Sequence, residues 1–173
     1  MIGQLIAAIL TYEGVLMLKE TAERHRYYDL ARQYCDIVGK PLLSIGMRRS
    51  LIGPPNGDVT LDIDLAVLDL PGGVHGDERD MPFEDKEFGA CYNGHTLEHL
   101  HSIEDVQLAV NECVRVADYS IFLCPSPYSL RSNATPSHYL RLKFEGQHVL
   151  VTDNSYRTDF GFRDEGDTGG LGS

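Results

Sequence analysis

Residues 76–100 read GDERDMPFEDKEFGACYNGHTLEHL. An acidic turn leads into Met81-Pro82-Phe83. An acidic loop follows, then a short strand over residues 88–93, then a helix opening on His95-Thr96-Leu97-Glu98-His99. The strand is apolar on both faces, as a central strand of a parallel sheet is. A polar, glycine-containing step, Asn93-Gly94, separates it from the pentad.

Outward from this stretch, strands alternate with helical patterns. Residues 42–46, 59–63 and 74–76 read as short strands, and 119–124 as a fifth, stopped by Pro125. Residues 103–116 carry apolar side chains at helical spacing. Only a short link joins the second strand to Gly76, too short for a full crossover helix of ~10–12 residues. Residues 140–144 and 148–152 suit an antiparallel pair around Gly146. Residues 1–18 and 21–38 form a helical run that Gly39-Lys40-Pro41 ends, since Gly can cap a helix and Pro cannot continue one. The organisation expected is a helical segment over 1–40, an α/β domain over 41–155 and a disordered tail over 156–173, which is rich in Gly and Asp.

The alternation predicts a mostly parallel sheet with helices on both faces. Ligands of such sheets bind beyond the carboxyl ends of the strands. Gly46, Asp62, Asp77 and Asn93 all fall at such ends, so one pocket is expected to collect them.

Bulk composition narrows the partners. The chain has 173 residues and a formal net charge of −11. A surface of that sign repels phosphate backbones, so nucleic acid is not an expected partner. The four cysteines, Cys35, Cys91, Cys113 and Cys124, form no C-x-x-C pair, and read as buried reduced thiols of a cytoplasmic protein. Ile2, Leu5, Ile6, Ile9, Tyr12 and Leu16 share a helical stripe. It is expected to pack on the domain, on a protein partner or on a membrane surface, the last making the chain peripherally membrane-associated.

The 76–100 stretch resembles the middle of the class I S-adenosylmethionine (SAM)-dependent methyltransferases, where a run such as GDAEDLPFPDNSFDAVVSSHVLEHL is found. The resemblance extends over roughly 41–125 and implies a Rossmann-like methyltransferase fold, compact or truncated. It also implies SAM as cofactor, S-adenosylhomocysteine as product and a small or partly apolar acceptor. Leu42-Leu43-Ser44-Ile45-Gly46-Met47-Arg48-Arg49-Ser50 stands where the family has a pattern like L-D-V-G-C-G-x-G. Gly46 is kept. Ser44 replaces the acidic residue, and Arg48 and Ser50 replace the later glycines, which permit close ligand approach. Two arginines also bring bulk and charge beside a cationic ligand. Phe88-Gly89 stands where the family has Phe-Asp.

By this resemblance Gly46 and Met47 face the methionyl part, and Asp62 takes the ribose hydroxyls. Asp77 faces the adenine amine, the Glu78 amide faces its ring, and Asn93 and His95 flank the methyl group. Carboxylates suit a diol because each accepts two hydrogen bonds. His95 is the candidate catalytic base. Acceptor contacts are expected from Tyr27, Tyr28, residues 125–128, His138 and Tyr139.

Two other readings stay open. The altered glycine pattern suits an inactive methyltransferase-fold protein acting as a binding or scaffold subunit. More remotely, His95-Thr96-Leu97-Glu98-His99 matches H-x-x-E-H, in which two histidines on one helix face ligate zinc and the glutamate acts as base. No third ligand is evident in the sequence, so Glu98 and His99 read as structural and no metal is assigned.

Overall fold

The computed structural model describes residues 2–145 and 148–153. The expected tail over 156–173 and the turn at Gly146 lie outside them. The elements run in the order α1 (Ile2–Val38), β1 (Leu42–Ile45), β2 (Val59–Asp62), β3 (Gly73–His75) and β4 (Phe88–Gly94). There follow α2 (Ile103–Val116), β5 (Ala117–Leu123), α3 (Leu130–Ala134), β6 (Leu140–Glu145) and β7 (His148–Asp153). Strands β1–β5 form one sheet in the order β3-β2-β1-β4-β5, parallel throughout. β6 and β7 pair antiparallel as a separate hairpin, as the sequence pattern suggested.

The buried side chains fall into two layers. Leu42, Ala90, Tyr92 and Ile121 face α1, where Tyr28, Ala31 and Cys35 are buried against them. Leu43, Ile45, Leu61, Phe88 and Cys91 face the other way, towards Cys113 and Val116 of α2. This is the expected α/β arrangement, with helices on both faces of a parallel sheet. It also explains why Gly89 stands where the related sequences carry Asp. A Cβ there would lie 2.9 Å from Val38 Cγ2 and 3.1 Å from Cys35 Sγ. A side chain there would force helix α1 to shift against β4.

Ser44 replaces another acidic residue and gains a different task. Its hydroxyl meets Thr60 Oγ1 at 2.9 Å and accepts from Gly57 N at 2.9 Å. It therefore pins β1 to β2 inside the core. Arg32 binds Asp58 Oδ2, which also accepts from Leu42 N, so the last turns of α1 are tied to the start of the sheet. All four cysteines are free thiols, three of them buried.

Some boundaries differ from the sequence reading. The expected helix does not open at His95. Leu97–His99 is a single 3-10 turn, and α2 begins only after Ser102, whose hydroxyl accepts from Asp105 N. His95 has φ 65°, which no helix accommodates. The link after β2 is a 3-10 turn over Leu65–Asp69, as its shortness required. Helix α3 carried no recognised signal. Ser129 caps it, and so does Glu13 of α1, which accepts from Ser129 Oγ at 3.0 Å and Leu130 N at 2.8 Å.

The two halves of α1 differ. Its second half is part of the core. Near its start Ile2, Leu5 and Leu10 are 78%, 63% and 67% exposed. The helix is long and apolar enough, by length and composition, to cross a membrane, and its apolar window is unburied.

Candidate active site

Strand β1 has β2 on one side and β4 on the other, so the connections leaving its ends part in opposite directions. Such a switch point opens a crevice at the carboxyl ends of the strands. A cavity of about 520 Å³ lies there, within the range of small-molecule sites. Its wall includes Gly46, Met47, Asp62, Asp77, Glu78 and His95, with Arg24 of α1. Six of the seven residues singled out in the sequence thus share one cavity. Asn93, the seventh, does not line it.

Gly46 has φ 80°, a conformation that favours glycine, and a Cβ on it would meet Thr96 Cγ2 at 2.8 Å. The next amide, Met47 N, donates to Asp62 Oδ2 at 2.7 Å, and Asp64 N donates to Asp62 Oδ1 at 2.8 Å. Asp62 thereby fixes the turn after β1, and each of its oxygens keeps a further acceptor position. Arg48 folds back on its own loop, donating to the carbonyls of Ser50 and Leu51. Arg49 is outward, bound to Asp64 at 3.0 Å and 3.7 Å from Asp62. Arg48, which replaces a glycine of the family pattern, is turned onto the backbone, and Arg49 is paired with Asp64; both are among the residues lining the cavity, which remains open.

The acidic turn separates two roles. Asp77 is held below the usual carboxylate range by Arg79, whose guanidinium also reaches Asp105 on α2 at 2.7 Å. Glu78 turns inward. It accepts from Asn93 Nδ2 at 2.8 Å and Thr96 Oγ1 at 3.1 Å, and burial pushes its pKa up to about 7. Asn93 is fully buried and also accepts from the Thr96 hydroxyl. It braces Glu78 and Thr96 from behind the wall.

His95 extends the ladder between β4 and β5, donating its amide to Leu123 O at 2.8 Å. Burial, followed by the charge of Arg24, lowers its pKa to about 3. Its imidazole is neutral and can accept a hydrogen bond, but its protonation is disfavoured, which makes it a weak general base. Arg24 was not singled out in the sequence. It reaches the cavity from α1, and its buried Nε meets no hydrogen-bond partner among the described residues. Only the tertiary fold brings residue 24 here. Of the expected acceptor contacts, Tyr28 is instead a core residue, packed edge-on against Tyr92 with its hydroxyl on Asn56 O. Pro125 and His138 line a second cavity beyond His95.

Residues 59–119 match a family model described as a methyltransferase domain. Over this segment the chain is similar to a methyltransferase domain, and its parallel sheet is consistent with a class I methyltransferase fold. The match begins at β2 and runs through the acidic turn, β4 and α2 into β5. A search of curated proteins gave no match. The matched segment contains the cavity-lining residues Asp62, Asp77, Glu78 and His95, with Asn93 behind the wall. Gly46, Met47 and Arg24 lie before the matched segment.

SAM suits this methyltransferase cavity on one independent observation. SAM carries an α-carboxylate besides its sulfonium, and Arg24, whose buried Nε has no hydrogen-bond partner among the described residues, lines the cavity. Asp62 supplies the acceptors that a diol requires.

Proposed function

We propose that the chain binds SAM in the 520 Å³ cavity and transfers its methyl group to a small or partly apolar acceptor. The gathering of Gly46, Met47, Asp62, Asp77, Glu78 and His95 around one crevice supports this reading. Asp62 takes the ribose hydroxyls while continuing to fix the Gly46–Met47 turn. The Asp77–Glu78 turn holds the adenine. Arg24 pairs with the methionyl carboxylate. Bound there, SAM supplies a methyl group activated by its sulfonium.

The chain's own contribution is positioning. Holding donor and acceptor in line substitutes for an entropic cost that a bimolecular reaction carries in full. His95, neutral at the boundary of the two cavities, orients the acceptor by accepting a hydrogen bond. Transfer of tritiated methyl from labelled SAM to a panel of small thiols, phenols and amines tests the activity, and loss of signal in Asp62→Ala ties it to this cavity. The alternative of an inactive scaffold rests on the altered glycine pattern, the missing Lys-Pro-Gly-Gly after α2 and the short C-terminal part; of these, Arg48 is folded onto loop carbonyls and leaves the cavity open.

We also propose that the exposed start of α1 gives a cytoplasmic protein its peripheral contact, with a membrane surface or a protein partner. Its apolar residues Ile2, Leu5 and Leu10 are what such a contact would cover. Co-sedimentation with neutral phospholipid vesicles separates the two.

A further inference from the structure

Beyond the methyltransferase cavity, a second cavity of about 220 Å³ is lined by His95, Glu98, His99, Arg131 and His138, among others. Glu98 is the unusual member. Its residue is 2% exposed, and among the described residues neither carboxylate oxygen meets a hydrogen-bond partner. The nearest basic nitrogen recorded, His95 Nδ1, stands 4.0 Å from Oε1. Burying a carboxylate without a partner is costly, and buried charges are ordinarily paired or coordinate metals.

The backbone brings two imidazoles to that carboxylate. Tyr139 N donates to Glu98 O at 2.8 Å, and His99 Nδ1 meets Ser137 O at 2.8 Å. These two bonds stitch residues 137–139 onto the 3-10 turn over Leu97–His99, placing His138 beside His99 with ring centroids 4.9 Å apart. One ligand atom from each of Glu98, His99 and His138 lies within 4.8 Å of the others. Donors around a tetrahedral ion stand ~3.4 Å apart, from bond lengths near 2.1 Å.

We propose that Glu98, His99 and His138 bind a divalent transition-metal ion, with an open position facing the 220 Å³ cavity. The outer contacts fit that role. Because Nδ1 of His99 donates to a carbonyl, its Nε2 carries the lone pair, the usual arrangement of a ligating histidine. Ser132 Oγ lies 2.9 Å from His138 Nδ1. Two imidazoles and one carboxylate suit zinc, iron or cobalt rather than magnesium or calcium. Arg131, in the same wall, suits an anionic ligand at the open position. The helical His95–His99 pair suggested by H-x-x-E-H does not form, because His95 is not helical. The third ligand comes from residue 138, and Glu98 is a ligand rather than a base.

The test is calorimetric titration of the full chain, first freed of metal by chelator, with Zn²⁺ alone. It is run on the wild type, Glu98→Gln, His138→Ala and the control His25→Ala, whose histidine lies on α1 outside the cluster. The expected result is one Zn²⁺ per chain, weakened at least about ten-fold in the first two variants and unchanged in the control. Replacing Zn²⁺ with Co²⁺ should give the intense visible absorption of a low-coordinate protein site in the wild type, and lose it in Glu98→Gln. That variant keeps shape while replacing an anionic ligand oxygen with an amide, so circular dichroism should match the wild type even if His138→Ala misfolds. Absence of stoichiometric Zn²⁺ binding by the wild type would overturn the proposal. So would equal affinity in wild type and Glu98→Gln, which would mean adventitious surface histidines only. Neither outcome involves SAM, so the methyltransferase reading is tested separately.

Discussion

Asp62 Oδ2 accepts the amide of Met47 at 2.7 Å. A strand-end carboxylate of β2 thereby shapes the turn after β1, and one residue couples loop structure to ligand recognition. Asp62→Ala strands two backbone amides, Met47 N and Asp64 N. An unpaired buried polar group costs about 1–3 kcal/mol. The substitution should lower the denaturation midpoint by a free energy of that order and weaken SAM at least about ten-fold, both read on the same purified variant.

Arg24 makes a more selective prediction. If its guanidinium pairs with the methionyl carboxylate, Arg24→Ala weakens SAM and S-adenosylhomocysteine. It should leave 5′-methylthioadenosine, which has no carboxylate, almost unaffected. A charged hydrogen bond contributes about 1.5–3 kcal/mol, or roughly ten- to a hundred-fold in affinity. Equal weakening of all three ligands would assign Arg24 a structural role instead.

Gly89 is where α1 rests on β4. A methyl group there meets Val38 Cγ2 at 2.9 Å, Cys35 Sγ at 3.1 Å and Cys35 Cα at 3.2 Å. The last is backbone and cannot turn aside. Gly89→Ala should destabilise the chain by about 1–3 kcal/mol, the usual cost of overpacking, read from urea unfolding.

Glu78 gives stability a pH dependence of definite sign. Its folded pKa is about 7, raised by burial from 4.5. Between those values the folded chain keeps a proton that the unfolded chain has lost. Stability should therefore fall as pH rises through this window, and level off above it. The slope is at most about 1.4 kcal/mol per pH unit, less with solvent screening. Asp77, Arg79, Asn93 and Thr96 surround the group and remain in Glu78→Gln. The difference between wild type and this variant across about pH 5 to 8 isolates the effect, and parallel curves would contradict it.

Much of this was legible in the sequence because it is local. Strand β4 is apolar throughout, and α2 follows its helical spacing to the residue, Ile103–Val116. The helix stop at Gly39 is equally local, with φ 69° and its amide on Cys35 O. What escaped is non-local. The His95–His99 pentad after a strand has the pattern of a helix start, but the His95 amide is committed to Leu123 O. Helix α3 is five residues long and is capped by Glu13, more than 100 positions away. Arg24 and His138 carry no local motif, and reach their sites through the packing of α1 and the bond from Tyr139 to Glu98. Asn93 sits at a strand end as expected, but strand alternation turns it under the cavity wall.

The central claim is that this cavity binds SAM. Calorimetric titration of the full-length chain with SAM and with S-adenosylhomocysteine tests it most directly. The account predicts saturable one-to-one binding of both, weakened in Asp62→Ala. No heat from either ligand at millimolar concentration, with the chain folded by circular dichroism, would contradict it.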